Sequence, residues 1–236
     1  MDPLEAAIDL LWKNHPDARA AFLAGSSRTP RRTPTSDLDI VVILTGPPAP
    51  YRESLVHREW PVEVFAHTEA SWHSAARREA ASRCSPLLSM CATGELLIDV
   101  EGTGASIARQ ARARLAAGPS PATPGELEDA RYALTDLVDD LTGCTDTDER
   151  GFIAAETVRS GARLVLLVRR EWSGAGKWLS QRLLECDPVV HARLAQAQRL
   201  ASTGDAGALV MVATQILDLA GGPLRSGYRR KGQPES

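Results

Sequence analysis

Eight residues in the middle of the chain, Gly118–Gly125 (GPSPATPG), hold three prolines and two glycines. No helix interior or central strand runs through such a stretch, because proline removes backbone donors and glycine carries a large entropic cost. The 236-residue chain is therefore read as two parts, each long enough to bury a core. Residues 1–117 mix strand-length apolar runs with helical patterns, and residues 118–125 form the linker. Residues 126–222 read as all helix, and 223–236 as a polar, disordered tail. The expected class is α+β: a small sheet domain followed by an all-α helical bundle.

Local signals place the elements. Asp2 caps a helix that has Pro3 at its first position and runs to about Lys13. Ala20–Ala24 is a short strand ending in Gly25-Ser26-Ser27, a strand-to-helix type of turn. Arg28–Ser36 is loop. Asp37–Leu44 (DLDIVVIL) is a buried strand, Pro61–His67 alternates as a third, and Leu96–Val100 is a fourth. Thr68 caps a helix through about Arg83, and Ala105–Ala117 is another. The linker ends in a helix start, with Thr123, Pro124 and Glu126 making a capping-box pattern. Ala130, Leu134, Leu137, Val138 and Leu141 then share one helix face. Further helices are expected at about 147–170, 177–186, 188–202 and 205–220.

Charge excludes several function classes. The 27 basic and 30 acidic residues leave a net charge of −3, so no global basic field grips a nucleic acid. Among the cations only Lys13, Lys177 and Lys231 are lysine. The four cysteines show no C-x-x-C and no zinc spacing, so a reducing cytoplasm is the expected setting. The acidic start Met1–Glu5 reads as no signal peptide, and no apolar run reaches membrane-spanning length.

The chemistry-bearing segment is Gly25–Leu44. Asp37 and Asp39 lie two apart on a strand, so both carboxylates project from one face while Leu38 and Ile40 enter the core. Paired acids in a strand repel and lose hydration unless a cation sits between them. Mg²⁺ fits, since it takes one or two carboxylates together with substrate phosphates. Glu63, on the next strand read from the sequence, completes a three-acid cluster if the strands are neighbours. Such a cluster suits an in-line phosphoryl or nucleotidyl displacement. Gly25, Ser26 and Ser27 offer a turn whose backbone can approach a phosphate closely. Arg28, Arg31 and Arg32 add cations for a triphosphate. Taken singly, each has a plainer reading: a strand-entrance cap, an ordinary turn, an exposed strand acid, a solvated loop.

Gly25-Ser26 followed by Ser36-Asp37-Leu38-Asp39 resembles the signature of the DNA polymerase beta-like nucleotidyltransferase superfamily. The match covers residues 25–63. The two-part layout resembles the kanamycin and streptomycin type of antibiotic nucleotidyltransferases, and Leu97–Gly102 (LIDVEG) and Arg170–Leu179 (REWSGAGKWL) are similar to segments of their relatives. The resemblance implies a small mixed sheet flanked by helices, and Mg²⁺-dependent transfer of a nucleoside monophosphate from ATP or another NTP to a hydroxyl. It implies that Asp37 and Asp39 bind metal, that Gly25 and Ser26 bind the triphosphate, and that Glu63 is the third acid and general base. Lys177 is implied as a helical-domain ligand of the β/γ-phosphates, or is simply a solvated lysine at a helix start. The Arg28–Thr35 loop departs from the pattern, carrying two prolines where relatives have small residues.

The expected acceptor is a small molecule, such as an aminoglycoside-like antibiotic, acted on by a monomer or homodimer. Asp129, Asp136, Asp139 and Asp140 offer an acidic wall for it, or simply a solvated helix face. Glu156 is a second candidate base, or an ion-pair partner of Arg159 or Arg163. AMP transfer to a protein or RNA, and a non-catalytic nucleotide-binding module, are the other readings. The −3 charge disfavours RNA.

Overall fold

The computed structural model describes residues 2–25, 27 and 32–230. The chain divides into two units, Met1–Pro119 and Ser120–Ser236.

The first unit opens with α1 (Pro3–Asn14), where Asp2 accepts the Leu4 N–H at 2.9 Å and Pro3 fixes the first turn. Then come β1 (Ala20–Ala24), β2 (Leu38–Leu44), β3 (Tyr51–His57) and β4 (Trp60–Thr68). α2 (Glu69–Ser82), α3 (Pro86–Thr93), β5 (Glu95–Asp99) and α4 (Thr103–Ala117) complete it. The five strands form one mixed sheet in the order β3-β4-β2-β1-β5. β2 and β4 pair in parallel, and the other neighbours are antiparallel.

Both faces of this sheet are covered, which is why β2 is almost continuously apolar. Leu38, Ile40 and Val42 point with Ala21, Leu23, Val62 and Val64 into a cluster against Ala6, Ala7, Leu10 and Leu11 of α1. The alternate side carries Phe22, Val41 and Ile43, all fully buried. Helices α2, α3 and α4 cover that side: Gly104 of α4 lies against Ala20, whose side chain points away from α1. Asp37, Asp39 and Glu63 follow the same alternation onto the α2–α4 side.

Two elements differ from the sequence reading. β3 was not read from the sequence, yet it pairs antiparallel with β4 along its whole length. Its residues are mostly exposed and it sits at the sheet edge, so no buried alternation marks it. The turn joining it to β4 is Arg58-Glu59, both at positive φ (50° and 70°), a type I′ geometry without the usual Asn or Gly. That conformation costs about 1 kcal/mol per residue. Asp9 of α1 ties the turn down by accepting from His57 Nε2 at 2.8 Å and Arg58 Nε at 2.9 Å. The ion pairs with Arg58 and Lys13 hold the Asp9 carboxyl well below the usual range. The second unread element is α3, only eight residues long. Among the described residues between β1 and β2 there is no helix, so the expected strand-to-helix turn after Gly25 instead leads to an antiparallel neighbour.

The second unit is helical throughout: α5 (Pro124–Gly143), α6 (Thr147–Val168), α7 (Lys177–Cys186), α8 (Pro188–Ala201) and α9 (Gly207–Leu219). Thr123 and Glu126 form the reciprocal capping box at the start of α5. Leu134, Leu141, Leu164, Leu166, Leu194 and Ile216 anchor one core. Gly161 lets α6 approach α9, since a Cβ there would lie 3.3 Å from Ile216 Cδ1. The stretch after residue 222 was expected to be disordered, but its described part packs along α5. The Leu224 N–H donates to Thr135 Oγ1 at 3.0 Å, Arg225 pairs with Asp139, and Arg230 pairs with Asp129. Tyr228 stacks on Tyr132 with ring centroids 4.1 Å apart. Among the described residues, no helix is long and apolar enough to cross a membrane.

Candidate metal centre

The parallel ladder between β2 and β4 sets Asp39 directly opposite Glu63. Asp37 lies two residues before Asp39, on the same face. One carboxylate oxygen from each of Asp37, Asp39 and Glu63 falls within 4.8 Å of the other two, and all three residues are half-buried. The buried strip of Val41 and Ile43 ends here, so the acids stand where the covered face opens toward solvent.

The turn that delivers Asp37 is built by Ser36. The Ser36 hydroxyl accepts the Thr33 N–H at 2.9 Å, and the Ser36 N–H donates to the Thr33 carbonyl at 3.0 Å. Ser36 is itself buried, 6% exposed. On the other flank, Ala24 of β1 pairs with Asp39, and Gly25 follows at φ +82°. A Cβ on Gly25 would lie 2.4 Å from Asp39 Oδ2. Glycine is thus required here twice, by its backbone conformation and by the carboxylate against it.

Two further observations bear on whether these residues fit a bound metal and phosphate. The donor set is all carboxylate oxygen, the set that Mg²⁺ prefers. The Ser27 hydroxyl, 2% exposed, has no hydrogen-bond partner among the described residues. Leaving a buried hydroxyl unpaired costs about 1–3 kcal/mol, so a group that accepts its proton is favoured at this turn. Ser26, Arg28 and Arg31, expected as phosphate contacts, lie outside the described residues. Arg32 is described, and its guanidinium stacks on Trp60, 4.7 Å from the ring centroid.

Glu63 carries a partner that sequence reasoning did not name. Arg52 Nη2 donates to Glu63 Oε2 at 2.6 Å, and the Arg52 guanidinium lies 4.9 Å from the Phe65 ring centroid. Arg52 went unnoticed because β3 itself did. His67 follows Glu63 and Phe65 on the same side of β4, and its Nδ1 lies 3.1 Å from Ser71 Oγ. Burial, with a smaller contribution from Arg78, lowers its pKa.

The remaining candidates belong to the second unit. Lys177 opens α7 as an exposed residue with Nζ 5.5 Å from the Trp178 ring centroid. Glu156 takes its ion-pair alternative, bonding Arg159 at 3.1 Å and accepting from Ser160 at 3.3 Å. Asp129 and Asp139 are engaged by Arg230 and Arg225 of the chain's own C-terminal stretch. Those ion pairs offset two of the four acidic charges considered as a wall for a polycation.

No protein-family model matches the chain, and no curated protein matches it. Among solved structures the chain is similar to a nucleotidyltransferase-like protein from Exiguobacterium sibiricum 255-15. The likeness has 12% identity and a TM-score of 0.48, covering 92% of this chain and 76% of the other. So distant a likeness assigns no residue a role, and the chemistry of the site rests on the carboxylates themselves.

Proposed function

We propose that the protein is a Mg²⁺-dependent nucleotidyltransferase. It would move a nucleoside monophosphate, AMP from ATP, to a hydroxyl of a small molecule. The observation that carries this reading is the meeting of Asp37, Asp39 and Glu63 within 4.8 Å of one another, beside a glycine turn packed against the Asp39 carboxylate.

Asp37, Asp39 and Glu63 would hold the metal through their oxygens. A bound Mg²⁺ supplies charge neutralisation at the phosphates and makes a nearby hydroxyl easier to deprotonate. Gly25 makes room for the Asp39 carboxylate, and the unpaired Ser27 hydroxyl would donate to a phosphate oxygen. Glu63 takes the proton from the acceptor hydroxyl. The acceptor oxygen then forms a bond to the α-phosphorus as the bond from that phosphorus to the β-phosphate bridging oxygen breaks. Pyrophosphate leaves with the displaced electron pair. Four free cysteines suit the reducing compartment in which MgATP is abundant.

The test is mass spectrometry of a panel of hydroxyl-bearing small molecules incubated with the protein, Mg²⁺ and each NTP in turn. A mass gain equal to one nucleoside monophosphate, accompanied by pyrophosphate, is the expected result.

A further inference from the structure

β4 lies between β2 and β3 in the sheet. Glu63 on β4 therefore has the two aspartates on one flank and β3 on the other. In the β3–β4 ladder, Ser54 faces Glu63 and Arg52 faces Phe65. Arg52 and Glu63 are diagonal cross-strand neighbours on one face, a separation that long side chains span. Arg52 crosses that diagonal and meets Glu63 Oε2 at 2.6 Å. Its guanidinium rests against Phe65, so its direction is fixed by the ring as well as by the ion pair.

The stability gained from this contact is small. The Arg52 side chain is 61% exposed and Glu63 27%, and ion pairs this open contribute little to folding. Its consequence is conformational. A glutamate has three side-chain torsions, and repulsion from Asp37 and Asp39 would swing the Glu63 carboxylate out toward solvent. Arg52 opposes both effects: it offsets one of the three charges and anchors one oxygen. It does so from the flank away from the aspartates.

We infer that Arg52 is a positioning residue for the candidate cation site, holding the Glu63 carboxylate in the cluster before a metal arrives. The inference rests on the reading of Asp37, Asp39 and Glu63 as a metal site. A competing role has the opposite sign. A guanidinium that acted as a rival cation would weaken metal binding, and its removal would tighten it.

Titration of the full chain with Mn²⁺ alone, followed by electron paramagnetic resonance of the free ion, separates these cases. Arg52→Met keeps an apolar cover on Phe65 and deletes the ion pair. It is expected to weaken Mn²⁺ binding about tenfold, the usual scale for a residue that orients a metal ligand. Arg52→Lys restores one donor and recovers most of the loss. Glu63→Gln weakens binding on its own, and adding Arg52→Met to it causes no further loss, because Arg52 acts through Glu63. Arg52→Gln carries the same expectation as Arg52→Met and serves if the methionine variant does not fold. Binding by Arg52→Met as tight as or tighter than the parent overturns the inference, as does a loss that persists in the Glu63→Gln background. Parent protein that takes up no Mn²⁺, or Asp39→Asn that binds it undiminished, overturns the metal reading and this inference with it.

Discussion

Gly25 shows how closely single residues are specified at the site. Alanine there would adopt a positive φ at a cost of roughly 1–2 kcal/mol. Its Cβ would also displace the Asp39 carboxylate, which lies 2.4 Å from where that atom would be. Gly25→Ala is expected to lower unfolding free energy by about that amount in a urea titration, and to cut Mn²⁺ affinity more steeply than stability. Unchanged metal affinity would mean the carboxylate has room to move. The sequence displayed Gly25, Asp37, Asp39 and Glu63 openly, since a glycine turn and acids on apolar strands stand out against their surroundings. Arg52 was not legible, nor was the burial of the Ser27 hydroxyl without a partner. Both depend on cross-strand or turn geometry that spacing alone does not encode.

Elements were legible where burial left a period. β2 and β4, with alternate residues against α1, were read correctly, as was α5 with its capping box. β3 and α3 were not, because one is an exposed edge and the other is too short to show a stripe. α3 is also started by a distant residue. Its N-cap, Ser85, makes no side-chain cap bond. Instead the Glu79 carboxylate of α2 accepts the Leu87 and Leu88 N–H groups at 2.7 and 2.9 Å. Burial nonetheless raises the Glu79 pKa, more than those two bonds lower it. Glu79→Ala leaves two first-turn donors without their acceptor and is expected to destabilise the protein by about 1–3 kcal/mol. Chemical denaturation measures this, and a loss near zero would show that water replaces the carboxylate freely.

At the scale of the whole chain, the Pro/Gly-rich stretch at 118–125 and the change from mixed to purely helical patterning were visible in the sequence. Contacts between the C-terminal stretch and α5 were not, because pairs such as Arg225–Asp139 join residues far apart in the chain. Acid sensitivity is a property of the whole fold as well. His15 and His67 are both held below the usual imidazole pKa, chiefly by burial. As pH falls through about 6.5 the unfolded chain takes up these protons while the native chain resists them. Their contribution is therefore complete above that pH and is lost on acidification. Glu79, raised by burial, has the opposite sign, since its protonation favours the native state. Comparing His67→Asn with the parent isolates one histidine: the variant should gain stability relative to the parent between pH 7.5 and 5.5. A constant difference across that range would show that His67 titrates alike in both states.

The acids of β2 and β4 remain the centre of the account. The measurement that bears on them most directly is nucleoside monophosphate transfer by the parent protein and by Asp39→Asn, side by side, with Mg²⁺, ATP and the acceptor panel. The account predicts an adduct and pyrophosphate from the parent, and loss of both in a variant that still unfolds cooperatively at the parent's midpoint. Undiminished transfer by Asp39→Asn, or no transfer by the parent from any NTP to any acceptor, would contradict it.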